Sequence, residues 1–157
     1  MARSKNSPLG SVVRGVAAGA IGTAVMTAGQ MAYYKITGAQ GSQTPAEVGK
    51  RVIEGVLHRS VPEEKMEPLN NAMHWGYGTS WGVAYAVAAG SRRPANNGNV
   101  AGGLAFGTAV WGASLVHLPA MGLSPPVWEM PPSSIAPDLG FHLLYGAAVG
   151  CAHAALS

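Results

Sequence analysis

The sequence predicts an all-α integral membrane protein. We expect four transmembrane helices, arranged as two tandem parallel-repeat hairpins, plus an amphipathic surface helix. Apolar residues make up 48% of the 157 residues and charged residues only 11%, whereas soluble domains have roughly 25% charged residues. The charges are nearly absent from four windows of roughly 18–23 residues, each long enough to cross a hydrocarbon core of about 30 Å. A motif near the C terminus also recurs in the middle of the chain.

The repeated motif reads His-x-x-Tyr-Gly-x-x-x-Gly. It occurs at His74–Gly82 and again at His142–Gly150, and upstream of each copy Ala20–Val25 matches Ala105–Val110. Two motifs that recur in the same order indicate a duplicated two-helix unit. We therefore expect one membrane domain over 1–157, with repeat unit 1 at about 11–90 and repeat unit 2 at about 100–157.

The first predicted span is Ser11–Tyr34, which follows a basic arm, Met1–Pro8. Arg14 is close enough to its start to reach the lipid headgroups. Tyr33 and Tyr34 are typical of the membrane interface, where the span should end.

The long segment after this span contains an amphipathic helix. Thr44-Pro45-Ala46-Glu47 has the form of a capping box, and Val48, Val52 and Val56 follow at helical spacing. We expect this helix to lie on the membrane surface or on the loops of the bundle; docking on a partner protein is the alternative. Pro62–Pro68 is expected to be a charged connector.

The other three spans are separated by a short polar turn and by a proline-rich loop. Asn70 and Asn71 are candidate caps for the second span, and Asp138 is a candidate N-cap for the fourth. The prolines between residues 120 and 137 favour turns and extended backbone, and the apolar side chains among them predict a loop folded over the mouth of the bundle. The predicted spans are Asn71–Ala89, Val100–Leu118 and Leu139–Leu156, with Ser91–Asn99 as the polar turn.

Small residues four positions apart let two helices approach closely in a membrane. The motif is weak alone, but here it occurs at matched positions of the two units. The predicted helix-packing residues are Gly15, Gly19, Gly78, Gly82, Gly146 and Gly150.

A parallel repeat places His74 and His142 at the same depth, and His117 should share that level. Tyr77 and Tyr145 should lie one turn deeper, with Glu129 in the loop above; the remaining histidine of the fourth span, His153, is expected at the opposite interface. Three interpretations of this polar level stay open. The residues can be interfacial anchors, a haem or metal site at His74 and His142, or a route for protons or a small solute.

Several classes of function are disfavoured. The net charge of +3 is dispersed, so nucleic acid is not an expected partner. The single cysteine, Cys151, cannot form a disulfide within the chain. No nucleophile–base pair, phosphate loop or paired-carboxylate site is recognisable, so we expect neither an enzyme nor a bound cofactor.

The sequence favours a non-catalytic function, with the lipid bilayer and other membrane subunits, or the chain itself, as partners. A small accessory subunit of a larger complex or homo-oligomer is the first hypothesis. The alternative is a channel or carrier element for protons or a small solute. Arg92 and Arg93 in the shortest loop, together with the basic arm, predict that both termini lie in the cytoplasm.

The segment His117–Pro131, which contains Met-Gly-Leu-Ser-Pro-Pro, followed by Gly140–Tyr145, resembles the YagU family of small bacterial inner-membrane proteins. The similarity covers roughly the second half of the chain. It implies a multi-pass bacterial inner-membrane protein of a family without an assigned function, and it implies no catalytic residues.

Overall fold

A computed structural model describes residues 8–90 and 98–157, and all its elements within those ranges are helical. The N-terminal basic arm and most of the polar turn at Ser91–Asn99, with Arg92 and Arg93, lie outside the described residues. The described residues form five α-helices and two short 3-10 turns, at Glu63–Lys65 and Val127–Glu129. The α-helices are α1 (Pro8–Thr37), α2 (Thr44–Leu57), α3 (Met66–Ala89), α4 (Gly98–Ala120) and α5 (Pro132–Leu156).

Three of these helices are long and apolar enough to cross a membrane, over Leu9–Thr37, Asn99–Ala120 and Pro132–Leu156. They contain the first, third and fourth predicted spans. The second predicted span lies within α3, which does not reach the same hydropathy because its first half contains Asn70, Asn71 and His74.

The four long helices make contact in the order α3, α1, α5, α4. Glycines bring the backbones together at two of these contacts. A Cβ atom at Gly82 would collide with the backbone of Gly19 and Gly15 on α1, and one at Gly150 would collide with Asn99 and Gly103 on α4. The helix pairs α1–α3 and α4–α5 therefore each pack through main-chain atoms at one equivalent glycine.

All six predicted packing glycines lie at helix–helix contacts. Gly15 and Gly19 face Gly82 and Thr79, and Gly146 faces Gly103 and Gly107. On the opposing helices, Gly103 contacts Gly150 in the way that Gly19 contacts Gly82. The alignment of the upstream motifs instead pairs Gly103 with Ala18. The structural correspondence therefore differs from the sequence alignment by one residue.

The edges of α3 and α4 are joined by side chains and not by close backbone contact. The ring of Phe106 on α4 lies 6.1 Å from Trp81 and 4.9 Å from Tyr85 on α3, and Tyr77 lies 6.2 Å from His117. We call this row of rings the aromatic seam. It closes the fourth side of the bundle without bringing the two helices together.

The amphipathic helix α2 packs against the first half of α3, so it lies on the bundle itself. Gly49 faces Met73 and Leu69, while Val52 and Val56 remain exposed. The prediction that Thr44 caps this helix is wrong, because the helix begins one residue earlier than a Thr44 cap requires: Thr44 is helical, and the N-cap position is Gln43, which makes no side-chain cap bond.

Asn70 stabilises the start of α2 from inside α3. Its Oδ1 accepts a hydrogen bond from the backbone of Ala46 at 3.1 Å, and its Nδ2 donates to the oxygen of Ser42 at 3.2 Å. The prediction that Asn70 or Asn71 caps the second span is wrong, because both residues lie inside α3. The helix begins earlier because Pro68 lies in its first turn, where a missing N–H costs nothing.

The prediction of a non-helical segment up to residue 137 is also wrong. Helix α5 begins at Pro132, with Pro137 inside it, and Asp138 is a helical residue and not an N-cap. Pro132 is at the first helical position, which suits proline, and the start of α5 accordingly extends beyond the predicted span.

Candidate functional site

A cleft of about 700 Å³ lies at the end of the bundle where α1 and α4 end and α3 and α5 begin. Two loops complete its wall. Residues 39–42 come from the α1–α2 connection, and Ser124 and Met130 come from the proline-rich loop. The wall is predominantly apolar, with hydroxyl, amide and imidazole groups distributed over it.

Five of the six residues of the predicted polar level line this cleft: His74, Tyr77, His117, His142 and Tyr145. The sixth, Glu129, is not among the lining residues; it belongs to the 3-10 turn Val127–Glu129, which is part of the loop above. The shared depth of the two repeated motifs accounts for four of these positions, and His117 joins them because α4 ends at the same level.

The imidazoles of His117 and His142 are held by their own helices. In each, Nδ1 lies 2.8 Å from the backbone oxygen four residues earlier, that of Ala113 or Asp138. A carbonyl oxygen only accepts, so Nδ1 carries the hydrogen and donates it. Nε2 of each neutral ring then carries a lone pair, and both residues can accept a hydrogen bond from a bound molecule.

His74 has the opposite tautomer. The Thr27 hydroxyl donates to the backbone oxygen of Thr23 at 2.8 Å, so its oxygen must accept in the 3.1 Å contact with Nε2 of His74. That nitrogen is therefore the donor, and Nδ1 carries the lone pair. A haem or metal at His74 and His142 that used Nε2 of both rings would break this contact. Within residues 8–90 and 98–157, no three His, Cys, Asp or Glu side chains form a group that could hold a metal ion.

Asp138, which the sequence predicts to be an N-cap, is a cleft residue. Its Oδ2 accepts a hydrogen bond from Nε1 of Trp111 on α4 at 3.0 Å, and its Oδ1 lies 3.6 Å from Nδ1 of His142. Asp138 and His142 are four residues apart, and side chains at that spacing are neighbours on one face of a helix. A predicted helix that began at Pro132 would therefore have indicated this pair.

Tyr145 forms the floor of the cleft. Its side chain is buried, with 3% of its surface exposed, and its hydroxyl donates to the backbone oxygen of Gly78 across the bundle at 2.6 Å. Tyr145 belongs to a buried core cluster with Ala18, Val110 and Val149. The inner part of the cleft is therefore bounded by the core of the bundle.

The other histidine of α5 lies at the opposite end of the bundle. His153 is buried, with 3% of its surface exposed, and its ring lies 5.4 Å from Tyr85 in an edge-to-face contact. The expected position of His153 at the opposite membrane interface stays a prediction, and at its end of the bundle the ring is packed against α3.

Comparison with models of protein families, with curated proteins and with solved structures finds no match. The resemblance of the second half to the YagU family stays a prediction.

Proposed function

We propose that this chain is a four-span membrane protein that binds a small solute in the cleft and serves as a binding or carrier element, without catalysing a covalent reaction. The cleft is the observation that carries the proposal. Its volume of about 700 Å³ falls within the range of small-molecule sites, which typically combine an apolar wall with a few polar groups that orient the ligand.

Two observations support α3 as the fourth span. It packs along α1 through Gly19 and Gly82, so it lies at the depth that α1 crosses. The α1–α2 connection and the proline-rich loop also line the same cleft. Four crossings place those two loops on one side of the membrane, whereas three crossings would place them on opposite sides.

Cysteine labelling tests the number of spans. In a Cys151→Ala background, we expect Gly55→Cys in α2 and Ser157→Cys at the C terminus to react with a membrane-impermeant thiol reagent from opposite sides of sealed vesicles. Gly55 has open space around it, so the substitution leaves the packing intact. Labelling of both cysteines from the same side would show that α3 does not cross.

The proposed location is a bacterial inner membrane, with both termini in the cytoplasm and the cleft on the outer side. The resemblance to the YagU family supports the assignment to this membrane. Basic residues at the span ends that lie on the same side as the termini, among them Arg14, support the orientation. The duplicated hairpin is proposed on the same footing, supported by the matched contacts of Gly82 and Gly150.

A carrier element accounts for the cleft better than a purely structural subunit does. Alternating access needs a binding site that opens to one side of the membrane while the other side is closed. In this proposal the buried Tyr145 ring, which bonds to the Gly78 backbone, forms the closed side. A subunit whose task is only to pack against other chains needs no such space. The accessory-subunit hypothesis therefore takes second place.

Binding can be measured with three molecules of one shape and three charges: phenethylamine, which is cationic at neutral pH, 2-phenylethanol and phenylacetate. We expect isothermal titration calorimetry on the full chain in mild detergent to detect at least one of them. Ser114→Trp should abolish this binding, because Ser114 lines the cleft. Ser80→Trp is the matched control, since its hydroxyl also bonds to its own helix backbone and it does not line the cleft.

Either of two results would contradict solute binding: none of the three molecules binds, or Ser114→Trp and Ser80→Trp lose binding equally. The native mass of the protein extracted from its own membranes then decides the alternative. A large assembly with other polypeptides would support the accessory-subunit hypothesis.

A further inference from the structure

The formal charge in the cleft comes from one residue. Among the described residues that line it, Asp138 is the only acidic side chain, and there is no lysine or arginine. The other polar lining groups are hydroxyls, amides and imidazoles, as in Gln30, Asn71 and His74. The described lining therefore holds one carboxylate and no lysine or arginine to pair with it.

The Asp138 carboxylate is fixed in place by one oxygen and open at the other. Oδ2 accepts the Trp111 hydrogen bond, which determines the orientation of the group. Nδ1 of His142 lies 3.6 Å from Oδ1, which is beyond hydrogen-bond distance, and that nitrogen already donates to the Asp138 backbone. The side chain is 44% exposed and lines the cleft, so the carboxylate is accessible to a bound molecule.

Three aromatic rings that contact one another line the same cleft as this carboxylate. Phe141 is one turn further along α5, and its ring lies 5.5 Å from that of Tyr33 and 6.1 Å from that of Tyr34. The two tyrosine rings are 5.9 Å apart, and all three pairs meet edge to face, with interplanar angles of 67° to 79°. The face of an aromatic ring attracts a cation. All three line the cleft.

We propose that the solute bound in the cleft is a monovalent organic cation, a protonated amine attached to a small apolar group. The inference rests on the proposed solute-binding function and specifies its substrate class. The ammonium group donates to Oδ1 of Asp138 and lies near the ring faces, while the apolar group contacts the thioether side chains of Met26 and Met31 in the wall. A charged pair in a partly desolvated site discriminates against neutral and anionic molecules of the same size.

A divalent metal ion fits this site less well than an amine. Calcium takes six to eight oxygen ligands, and magnesium needs an octahedral set, whereas the cleft supplies one carboxylate. An organic ammonium needs one anionic acceptor and apolar contacts, and both are present on the wall.

The test uses Asp138→Asn in the full chain, with titrations of phenethylamine and 2-phenylethanol. The asparagine keeps an oxygen that can accept from Trp111 and removes only the charge. We expect phenethylamine to bind the native protein more tightly than 2-phenylethanol, and Asp138→Asn to weaken its binding by roughly tenfold to a hundredfold, the range for losing a hydrogen bond to a charged group. Binding of 2-phenylethanol should change less than about twofold, because a neutral ligand has no ionic interaction to lose.

Glu129→Gln is the matched control, because it also removes one negative charge from this end of the protein but at a residue outside the cleft wall. It should leave phenethylamine binding unchanged. An equal effect of Glu129→Gln and Asp138→Asn would overturn the assignment in favour of general surface charge. Equal weakening of both ligands by Asp138→Asn would make the residue structural. Tight binding of 2-phenylethanol or phenylacetate without binding of phenethylamine would refute the cation while leaving solute binding intact.

Discussion

Gly82→Leu and Gly146→Leu are each expected to prevent the bundle from assembling. A Cβ atom at Gly82 would overlap the backbone of Gly19, and one at Gly146 would overlap the backbone of Gly103. Backbone cannot rotate away as a side chain can, so the helices must separate along the whole contact. Overpacking costs about 1–3 kcal/mol where side chains can yield, and the cost should be at the upper end or beyond when main chain meets main chain.

The measurement is the yield of monodisperse protein in mild detergent, followed by resistance to unfolding in a titration with a denaturing detergent. Gly76→Leu and Gly112→Leu are the controls, since a Cβ atom at either position meets nothing within 4 Å. Both control variants should retain native yield and stability. If Gly82→Leu behaves like Gly76→Leu, then α1 and α3 do not approach each other through their backbones at Gly82.

Tyr145→Ala is expected to destabilise the protein far more than Tyr77→Ala, although the two tyrosines are equivalent in the repeated motif. Tyr145 is 3% exposed and Tyr77 is 41% exposed. Truncating a buried aromatic ring to alanine costs about 3–5 kcal/mol. Tyr145 also loses its hydrogen bond to Gly78, whereas the ring of Tyr77 contacts Trp81 and His117 from an exposed position.

Tyr145→Phe separates the two contributions. It keeps the ring and removes the hydroxyl, so we expect a loss of about 1 kcal/mol, the net value of a typical hydrogen bond. Thermal unfolding of the four proteins in the same detergent gives the order: native, then Tyr77→Ala and Tyr145→Phe close to it, then Tyr145→Ala well below. Equal melting temperatures for Tyr77→Ala and Tyr145→Ala would mean that burial at the cleft floor does not determine stability.

The glycine contacts could be read from the sequence because they depend on residue size and spacing alone. Gly78 and Gly82 are four residues apart, and their counterparts Gly146 and Gly150 repeat the pattern. Such spacing places both glycines on one helix face, and in a membrane that face attracts another helix. The one-residue difference in register on the opposing helices could not be read, because Gly19 and Gly103 lie outside the matched upstream motif.

The role of Asp138 could not be derived in the same way. Pro131, Pro132 and Pro137 surround the point where α5 begins, and proline disfavours a helix interior while it favours a first turn. The sequence alone does not show which of these effects wins. Once Asp138 is placed inside the helix, its partner Trp111 still lies on another helix, and no local spacing indicates a contact of that kind.

The sequence predicts that helix α2 exists but not what holds it against the bundle. The spacing of Val48, Val52 and Val56 indicates an amphipathic helix, and the structure contains it at Thr44–Leu57. Besides the packing of Gly49 on α3, Asn70 attaches it to the bundle by hydrogen bonds with the backbone of Ala46 and Ser42. A side chain that caps a helix from another helix leaves no motif in the sequence, since the usual cap is local.

The aromatic seam between α3 and α4 gives the bundle two kinds of side with different response times. Rings such as Tyr77, at an edge with 41% of its surface exposed, change rotamer within picoseconds to nanoseconds. Helices joined through the backbone, like α4 and α5 at Gly103 and Gly146, separate only by collective motion on the microsecond-to-millisecond scale. Fluctuations that widen the cleft will therefore be fastest along the α3–α4 edge. With α3 as the fourth span, this edge faces the acyl chains of the surrounding lipid. The composition of that lipid should then influence how often the cleft widens.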